Sequence, residues 1–155
     1  MQAPVGLSTR GPPPPQARVG DRYDLEVIIE PGAAFVRDSG YIVASVLDLF
    51  DSDGKTVAVL DTTINHIPEV FEYQFKPDVI GDTESGEHGY ILAGLSCLAG
   101  DVFGEYRFDE GLNIGSLVVF KDAGAYAIVK AHTFNGISLP SMYAVYDDGT
   151  IANTS

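Results

Sequence analysis

The amino-acid sequence predicts a mainly β fold, an all-β barrel or sandwich made of short strands. Short apolar runs recur along the chain, glycine-containing turn signals separate them, and helical periodicity is scarce. The length of 155 residues suits one domain, and a hydrophobic content of 45% is enough to build a core. The chain is therefore expected to form a single β-domain.

The first twenty residues are predicted to be a disordered tail or linker. They contain four consecutive prolines, Pro12 to Pro15, together with Pro4, Gly6 and Gly11. Consecutive prolines favour the polyproline II conformation and cannot donate backbone hydrogen bonds to a sheet. We therefore assign residues 1–20 to a Pro-rich tail and residues 21–155 to the β-domain.

The β-domain is predicted to begin with a strand. Tyr23, Leu25, Val27 and Ile29 recur at every second position, and Glu30-Pro31-Gly32 ends the run. Apolar runs bounded by turn residues predict further strands over 56–60, 90–95, 117–120, 126–131 and 142–146.

Two segments and the end of the chain need separate interpretations. Residues 40–49 are apolar and ambiguous, and could begin as a helical turn and continue as a strand. Residues 66–88, with two prolines and many acidic residues, should form a long excursion. The turn Asp147-Asp148-Gly149 lies close to Ser155. The closing strand of the fold is therefore expected to be missing.

The charge and cysteine content narrow the classes of partner. A formal net charge of −13 disfavours nucleic acid and anionic membrane surfaces, but it is compatible with a cationic small molecule. Cys97 is the single cysteine, so no disulfide forms within the chain. The sequence has neither a signal-peptide pattern nor an apolar stretch of membrane-spanning length. These features predict a cytoplasmic protein.

Taken without any resemblance to known proteins, the sequence offers few candidate metal-binding or catalytic side chains. The histidines His66, His88 and His132 lack the spacing of metal ligands, so no metal site is expected. Cys97 follows an apolar run, and Gly100 and Asp101 come shortly after it. Cys97 is either a buried small apolar residue or a thiol presented on a strand-end loop, able to donate a proton to a carbanion.

Two more residues allow both a structural and a functional interpretation. Tyr126 follows the turn residue Gly124 and is either a core aromatic or a phenol that hydrogen-bonds an anion such as phosphate. Glu30 stands at the end of the first predicted strand. It is either an exposed acid or a functional carboxylate at the end of a barrel strand.

Four short motifs together resemble the alanine racemase/ornithine decarboxylase superfamily. In order, they are Glu30-Pro31-Gly32, the loop around Cys97, Gly124-Ala125-Tyr126 and Phe134-Asn135-Gly136. The resemblance covers about residues 21–150. Within the superfamily, the stretches 60–68 and 96–106 are most similar to the carboxynorspermidine (carboxyspermidine) decarboxylases.

The resemblance implies a Greek-key-like C-terminal β-domain of a fold-type III decarboxylase that uses pyridoxal 5′-phosphate. In such an enzyme Glu30 would pair with the pyridinium nitrogen of the cofactor, and Gly32 and Tyr126 would lie at its phosphate. A protonated ring is the better electron sink for the charge left by CO₂ loss. Most of the (β/α)8 barrel would be missing, with the strand before Glu30 as its remnant.

The resemblance also implies roles toward a polyamine-like cationic substrate. Cys97 would reach across a homodimer interface and help to return a proton to the decarboxylated carbon. Asp101 would meet the distal amine of the substrate, and Asp61 and His66 are further candidates for the substrate pocket.

Some positions depart from the superfamily pattern. The ornithine branch has an arginine after Glu-Pro-Gly, where this chain has Ala33 and Ala34, and a proline at the position of Leu95. None of the lysines stands in the context of the lysine that holds the cofactor covalently; they are Lys55, Lys76, Lys121 and Lys130. The chain by itself is therefore expected to be inactive.

Three hypotheses follow for function. The first is a carboxynorspermidine/carboxyspermidine decarboxylase, represented by a C-terminal fragment. The second is a non-catalytic β-module that binds a partner or regulates a full-length relative. The third is a fragment of an ornithine- or diaminopimelate-type decarboxylase, which Asp101 and the stretch 66–68 disfavour through the resemblance.

Overall fold

A computed structural model describes residues 20–154 of the chain. Two compact units are present and are divided between Pro31 and Gly32. The predicted tail over residues 1–20 lies outside the described residues, apart from Gly20. No helix within residues 20–154 is long and apolar enough to cross a membrane.

The second unit carries the strands and most of the short helices. Its strands are β1 Ile42–Ser52, β2 Lys55–Leu60, β3 His88–Ala93, β4 Val102–Phe108, β5 Leu117–Phe120, β6 Tyr143–Val145 and β7 Ile151–Asn153. Its α-helices are α1 Ala33–Val36, α2 Glu69–Tyr73 and α3 Tyr126–Lys130, and its 3-10 turns are Arg37–Ser39, Ile64–His66 and Phe134–Gly136. The prediction of a mainly β fold is confirmed.

Five strands form one curled sheet in the order β4-β3-β2-β1-β5, and β6 pairs with β7. β2 and β3 are parallel, whereas β1–β2, β1–β5 and β3–β4 are antiparallel pairs. Two antiparallel steps, from β5 to β1 and from β1 to β2, give β5 the same direction as β2. The strands β2, β3 and β5 therefore all end at the same edge of the sheet.

The β1–β2 hairpin follows from its turn sequence. Asp53 and Gly54 have φ values of 51° and 77°, and the flanking residues Ser52 and Lys55 are paired. Positive φ at both central residues is the type I′ geometry that matches the twist of the strands, and Asp-Gly is a preferred sequence for it. The predicted turn at Gly54 is thus confirmed.

The core is built from side chains of all five strands of the main sheet and from the segments that cover them. Phe103 of β4 and Phe120 of β5 pack against each other with ring centroids 4.6 Å apart and the ring planes tilted by 39°. Other fully buried side chains include Val46, Leu60 and Leu92. The last three come from β1, β2 and β3, so each of the five strands contributes a buried side chain to the core.

Several of the predicted strands are confirmed. The runs 56–60, 90–95, 117–120 and 142–146 coincide with β2, β3, β5 and β6 within one or two residues. The segment 40–49 continues as a strand, as expected, because β1 begins at Ile42, but residues 40 and 41 do not form a helical turn. The excursion predicted over 66–88 is the long connection that a parallel β2–β3 pair requires.

Two predicted strands are wrong. Residues 23–29 include no strand, and the side chains of Tyr23, Leu25 and Ile28 are exposed. A strand needs hydrogen-bond partners, and none of the described strands pairs with this segment. Within residues 126–131, the segment Tyr126–Lys130 forms helix α3 instead. Ala127 is its buried residue, so the alternating burial expected of a strand is absent.

Two strands were not predicted. β4, Val102–Phe108, combines glycine, charged and aromatic residues without a regular apolar alternation, and it forms an antiparallel pair with β3. β7, Ile151–Asn153, pairs with β6, so the expectation that no strand follows Gly149 is wrong. The tight turn at Gly149, with φ of 81°, brings β7 back onto β6.

Leu92→Ala should lower the free energy of unfolding by about 2–5 kcal/mol, because it deletes a fully buried side chain from the centre of the sheet. Leu117→Ala is the matched control, since Leu117 is 65% exposed on β5 and should change stability by less than about 0.5 kcal/mol. Urea denaturation of both variants measures the difference. Equal losses in the two variants would contradict the core described above.

Candidate functional site

The candidate site lies at the edge of the sheet where β2, β3 and β5 end. The chain leaves β2 into residues 61–67, leaves β3 into the loop 94–101, and leaves β5 into the turn before α3. Because the three strands run in the same direction, these connections share one edge. They contain most of the residues that the sequence predicts to be functional.

Buried polar side chains are concentrated at this edge. Among the described residues, the buried polar or charged residues are Thr62, Thr63, Asn65, His66 and Asp101. No buried side-chain nitrogen or oxygen within residues 20–154 lacks a hydrogen-bond partner. A buried polar group is costly unless it is paired, so this edge is held by a complete hydrogen-bond network.

The Asp101 carboxylate connects two of the three segments. Its Oδ1 accepts hydrogen bonds from the Thr63 hydroxyl at 3.1 Å and from the Ile64 amide at 2.8 Å. Its Oδ2 accepts from the Ser96 amide at 3.0 Å and from the Ser96 hydroxyl at 2.5 Å. Asp101 therefore joins the segment after β2 to the loop after β3.

The loop 94–101 is closed at both ends by backbone hydrogen bonds. The Gly94 amide donates to the Asp101 carbonyl at 2.8 Å, and the Leu95 amide donates to the Thr62 carbonyl at 3.0 Å. Cys97 lies in this loop and is exposed. The structure thus favours the presented thiol over the buried apolar residue as the interpretation of Cys97.

His66 connects the segment after β2 to the chain beyond α3. Its Nε2 lies 3.1 Å from the Ser138 carbonyl oxygen, and its Nδ1 lies 2.9 Å from the Thr62 hydroxyl. Since a carbonyl only accepts, we assign the proton to Nε2, and Nδ1 then accepts from Thr62. Burial lowers the pKa of His66 below its ordinary value of 6.5, although the Ser138 hydrogen bond and the Asp101 charge act in the opposite direction.

The Phe134-Asn135-Gly136 motif is fixed against the same segment. The Asn65 side chain donates to the Phe134 carbonyl at 3.3 Å, and the His132 amide donates to the Asn65 carbonyl at 3.2 Å. Asn135 and Gly136 both have positive φ, which turns the chain sharply at this point.

Asp61 and Tyr126 both present exposed side chains at this edge. Asp61 Oδ1 accepts a hydrogen bond from the Ser45 amide at 2.7 Å, beside the irregularity in β1. Tyr126 is 53% exposed at the start of α3. Lys130 lies one turn further along α3, with its Nζ 5.8 Å from the Tyr126 ring centroid.

Lys130 is also fixed from the other side. Its ammonium group forms an ion pair with Glu72 and lies 5.3 Å from the Tyr73 ring centroid. The hydrogen bond to Glu72 raises the pKa of Lys130. Cation–π attraction and the ion pair together connect α3 to α2.

Gly124 explains how the turn before Tyr126 is positioned. A Cβ at position 124 would lie 2.1 Å from the Val36 carbonyl oxygen, and a Cβ at Gly40 would lie 2.7 Å from Gly124 Cα. The Gly124 amide donates to the Arg37 carbonyl at 2.9 Å. Only glycine allows so close a backbone approach.

The two remaining predicted site residues, Glu30 and Gly32, precede the first strand of the sheet in the chain. Glu30 belongs to the first compact unit and is exposed. Gly32 is the first residue of the second unit, where its carbonyl accepts a hydrogen bond from the Phe35 amide at the start of α1.

Sequence reasoning missed the residues that hold the site together. Thr63, Ser96 and Gly94 are not among the site residues predicted from the sequence. In the structure the hydroxyls of Thr63 and Ser96 donate to the Asp101 carboxylate, and Gly94 leaves room for it. The two glycines flanking the Cys97 loop, Gly94 and Gly100, were the available signal of a tightly folded loop. No group of three or more His, Cys, Asp and Glu side chains suited to a metal ion occurs in the part of the chain that the structure describes.

A family model and the relatives found by comparison with known proteins agree on one family of enzymes. Residues 19–124 match the family model described as pyridoxal-dependent decarboxylase, C-terminal sheet domain. A carboxynorspermidine/carboxyspermidine decarboxylase of Campylobacter jejuni is 40% identical over 136 residues, covering 79% of this chain and 35% of that protein. A diaminopimelate decarboxylase of Vibrio cholerae is 31% identical, covering 85% of this chain and 31% of that protein.

The fold is likewise similar to a solved structure. The crystal structure of carboxynorspermidine decarboxylase from Campylobacter jejuni, complexed with norspermidine, superimposes with a TM-score of 0.75 and 36% sequence identity. The match covers 88% of this chain and 41% of that one. The chain thus spans about a third of the length of the curated relatives it matches.

The buried His66 should make stability depend on pH. Its pKa is lowered in the folded state, so the unfolded chain takes up the proton first as the pH falls. This contribution is complete above the ordinary value of 6.5 and is lost as the pH drops through 6.5 toward the folded pKa.

Chemical denaturation between pH 7.5 and pH 5 (about the range in which histidine titrates) measures this dependence. His66→Gln should flatten the fall in stability over that range, whereas His88→Gln, at an exposed position, should leave the slope as it is. An unchanged slope in the His66 variant would show that another group carries the pH dependence.

Proposed function

Because this chain belongs to the pyridoxal-dependent decarboxylases, through their C-terminal sheet domain, we propose that it takes part in the decarboxylation of a carboxynorspermidine- or carboxyspermidine-type polyamine precursor. The main support for this proposal is the similarity in sequence and in fold to the Campylobacter jejuni enzyme. The diaminopimelate alternative is less well supported, since its relative is 31% rather than 40% identical. The net charge of −13 also suits a cationic substrate.

The residues of this chain have the chemistry to contact pyridoxal phosphate. Tyr126 offers an exposed phenol and Glu30 an exposed carboxylate, and a Cβ at Gly32 would meet nothing within 4 Å, so the backbone there is open to a ligand. When bound, the cofactor supplies an electron sink for the charge released by CO₂ loss. Glu30 would accept a hydrogen bond from the pyridinium nitrogen, Tyr126 would donate one to a phosphate oxygen, and Gly32 would lie beside the phosphate.

Cys97 is proposed as the proton donor to the decarboxylated carbon. Its thiol is exposed, and both of its neighbours are held by hydrogen bonds in the loop 94–101. In a homodimer this loop would serve the site of the second subunit. An exposed thiol on a fixed loop combines access to a substrate with a defined direction of approach.

Asp61 and His66 are proposed to shape the substrate pocket in different ways. Asp61 is exposed and offers a carboxylate to a substrate ammonium group. Both ring nitrogens of His66 are engaged with Thr62 and Ser138, so His66 would fix the pocket wall rather than bind the substrate directly.

The chain alone is proposed to lack a covalent attachment point for the cofactor. Three of its four lysines are engaged in ion pairs, Lys55 with Glu105, Lys76 with Asp82 and Lys130 with Glu72. An engaged, protonated amine is a poor nucleophile toward an aldehyde.

Titration of the purified chain with pyridoxal phosphate, before and after borohydride, tests this directly. Mass spectrometry should find no borohydride-stable adduct confined to one lysine, because none of the four lysines stands in the sequence context of the lysine that holds the cofactor covalently. An adduct at a single lysine would contradict the proposal and would require the chain to be assayed as an enzyme by itself.

A chimeric enzyme tests the proposed reaction. Residues 20–154 would replace the matching segment of the Campylobacter jejuni decarboxylase, and norspermidine released from carboxynorspermidine would be measured. The chimera should be active, and Cys97→Ala should lower its kcat by about 100-fold, as expected for loss of a general acid. Ala99→Ser, at an exposed position of the same loop, is the control and should retain activity.

Other results of the chimera experiment discriminate between the hypotheses. A chimera that releases lysine from diaminopimelate in preference would contradict the proposed substrate. A folded chimera without any decarboxylase activity would favour the non-catalytic module.

A further inference from the structure

The Asp101 carboxylate is saturated by groups of its own chain. An ionised carboxylate has about four lone-pair sites, and here the Thr63 hydroxyl, the Ile64 amide and both donors of Ser96 occupy them. Asp101 is also only 5% exposed. A substrate amine would have to displace internal donors and enter a closed region, so the geometry does not favour Asp101 as the partner of the distal amine.

Hydrogen bonds of Asp101 and Ser96 fix the backbone on either side of Cys97. Ser96 precedes Cys97 and donates to Asp101 with both its amide and its hydroxyl. Leu98 follows Cys97; its amide donates to the Ser96 hydroxyl at 3.2 Å, and its carbonyl accepts from the Asp101 amide at 3.0 Å. Each neighbour of Cys97 is therefore held by Asp101, directly or through one intermediate group.

Gly94 gives independent support for the importance of this packing. A Cβ at position 94 would lie 2.3 Å from both carboxylate oxygens of Asp101, far inside van der Waals contact. No positive φ is required at Gly94, so the close approach of the carboxylate is what demands glycine there. The loop is thus built around the carboxylate.

We propose that Asp101 is a positioning residue, which fixes the loop 94–101 so that the exposed Cys97 thiol is held in one place and direction. This proposal rests on the proposed role of Cys97 as proton donor. It replaces the expectation that Asp101 binds the substrate amine. Through Thr63 and Ile64, Asp101 also ties the thiol-bearing loop to the pocket segment that contains His66.

The single cysteine allows a direct test on the 155-residue chain without cofactor. Cys97 would be alkylated with bromotrifluoroacetone, and the ¹⁹F resonance of the label would be recorded in the parent chain and in Asp101→Asn, Gly94→Ala and Ser96→Ala. The resonance should move toward its position in the urea-unfolded chain in all three variants. Asp82→Asn is the matched control, because Asp82 also accepts a backbone amide, from Arg107, but lies outside this loop.

Amide hydrogen exchange provides the second readout. Exchange at Ile64 and Ser96 should become about tenfold faster or more in Asp101→Asn, while amides of the β1–β2 hairpin keep their protection. Circular dichroism confirms that each variant is folded, and Ser96→Ala, which removes one hydroxyl, remains informative if Asp101→Asn does not fold. An unchanged ¹⁹F resonance and unchanged exchange in the folded variants would overturn the proposal.

The chimeric enzyme separates positioning from substrate binding. Asp101→Asn should lower kcat at nearly constant KM if Asp101 acts through Cys97, whereas a raised KM with constant kcat would restore its role at the substrate amine. Failure of the proposed function would appear as an inactive parent chimera. The ¹⁹F and exchange results decide the positioning role in either case.

Discussion

The parallel pairing of β2 with β3 is the constraint on which the candidate site depends. Val59 pairs with Ala93 near the ends of these strands, so the chain leaves both strands at the same edge. The antiparallel pairs on either side extend this arrangement, since β5 runs in the same direction and also ends there. An antiparallel β2–β3 pair would have placed the Cys97 loop and the His66 segment at opposite ends of the sheet.

The site divides its residues into a buried framework and an exposed reactive surface. Thr62, Thr63, Asn65, His66 and Asp101 are buried, and their hydrogen bonds join the segment after β2 to the loop after β3 and to the chain beyond α3. Cys97 and Tyr126 are exposed on elements that this framework holds. Satisfied polar networks of this kind are rigid because each broken hydrogen bond would leave a buried group unpaired.

The errors of the sequence interpretation share a physical cause. Residues 23–29 have the alternation of a strand, and residues 126–131 contain the β-branched residues Ile128 and Val129, but a strand forms only where a partner edge is available. β4 was missed for the opposite reason: its sequence is irregular, and pairing with β3 makes it a strand. For Asp101, the sequence shows the residue type but not its burial, and that burial is the ground for our proposal that Asp101 positions the Cys97 loop.

The sequence by itself determined the mainly β class, the position of several strands and turns, the family, and the residues whose chemistry suits a decarboxylase. These depend on local pattern and residue type, which short stretches of sequence contain. Only the tertiary structure decided which of those residues are buried and which are presented, because burial depends on the pairing of segments distant along the chain. Thr63 and Asp101 are 38 positions apart, and only the fold brings the Thr63 hydroxyl to the carboxylate that holds the Cys97 loop.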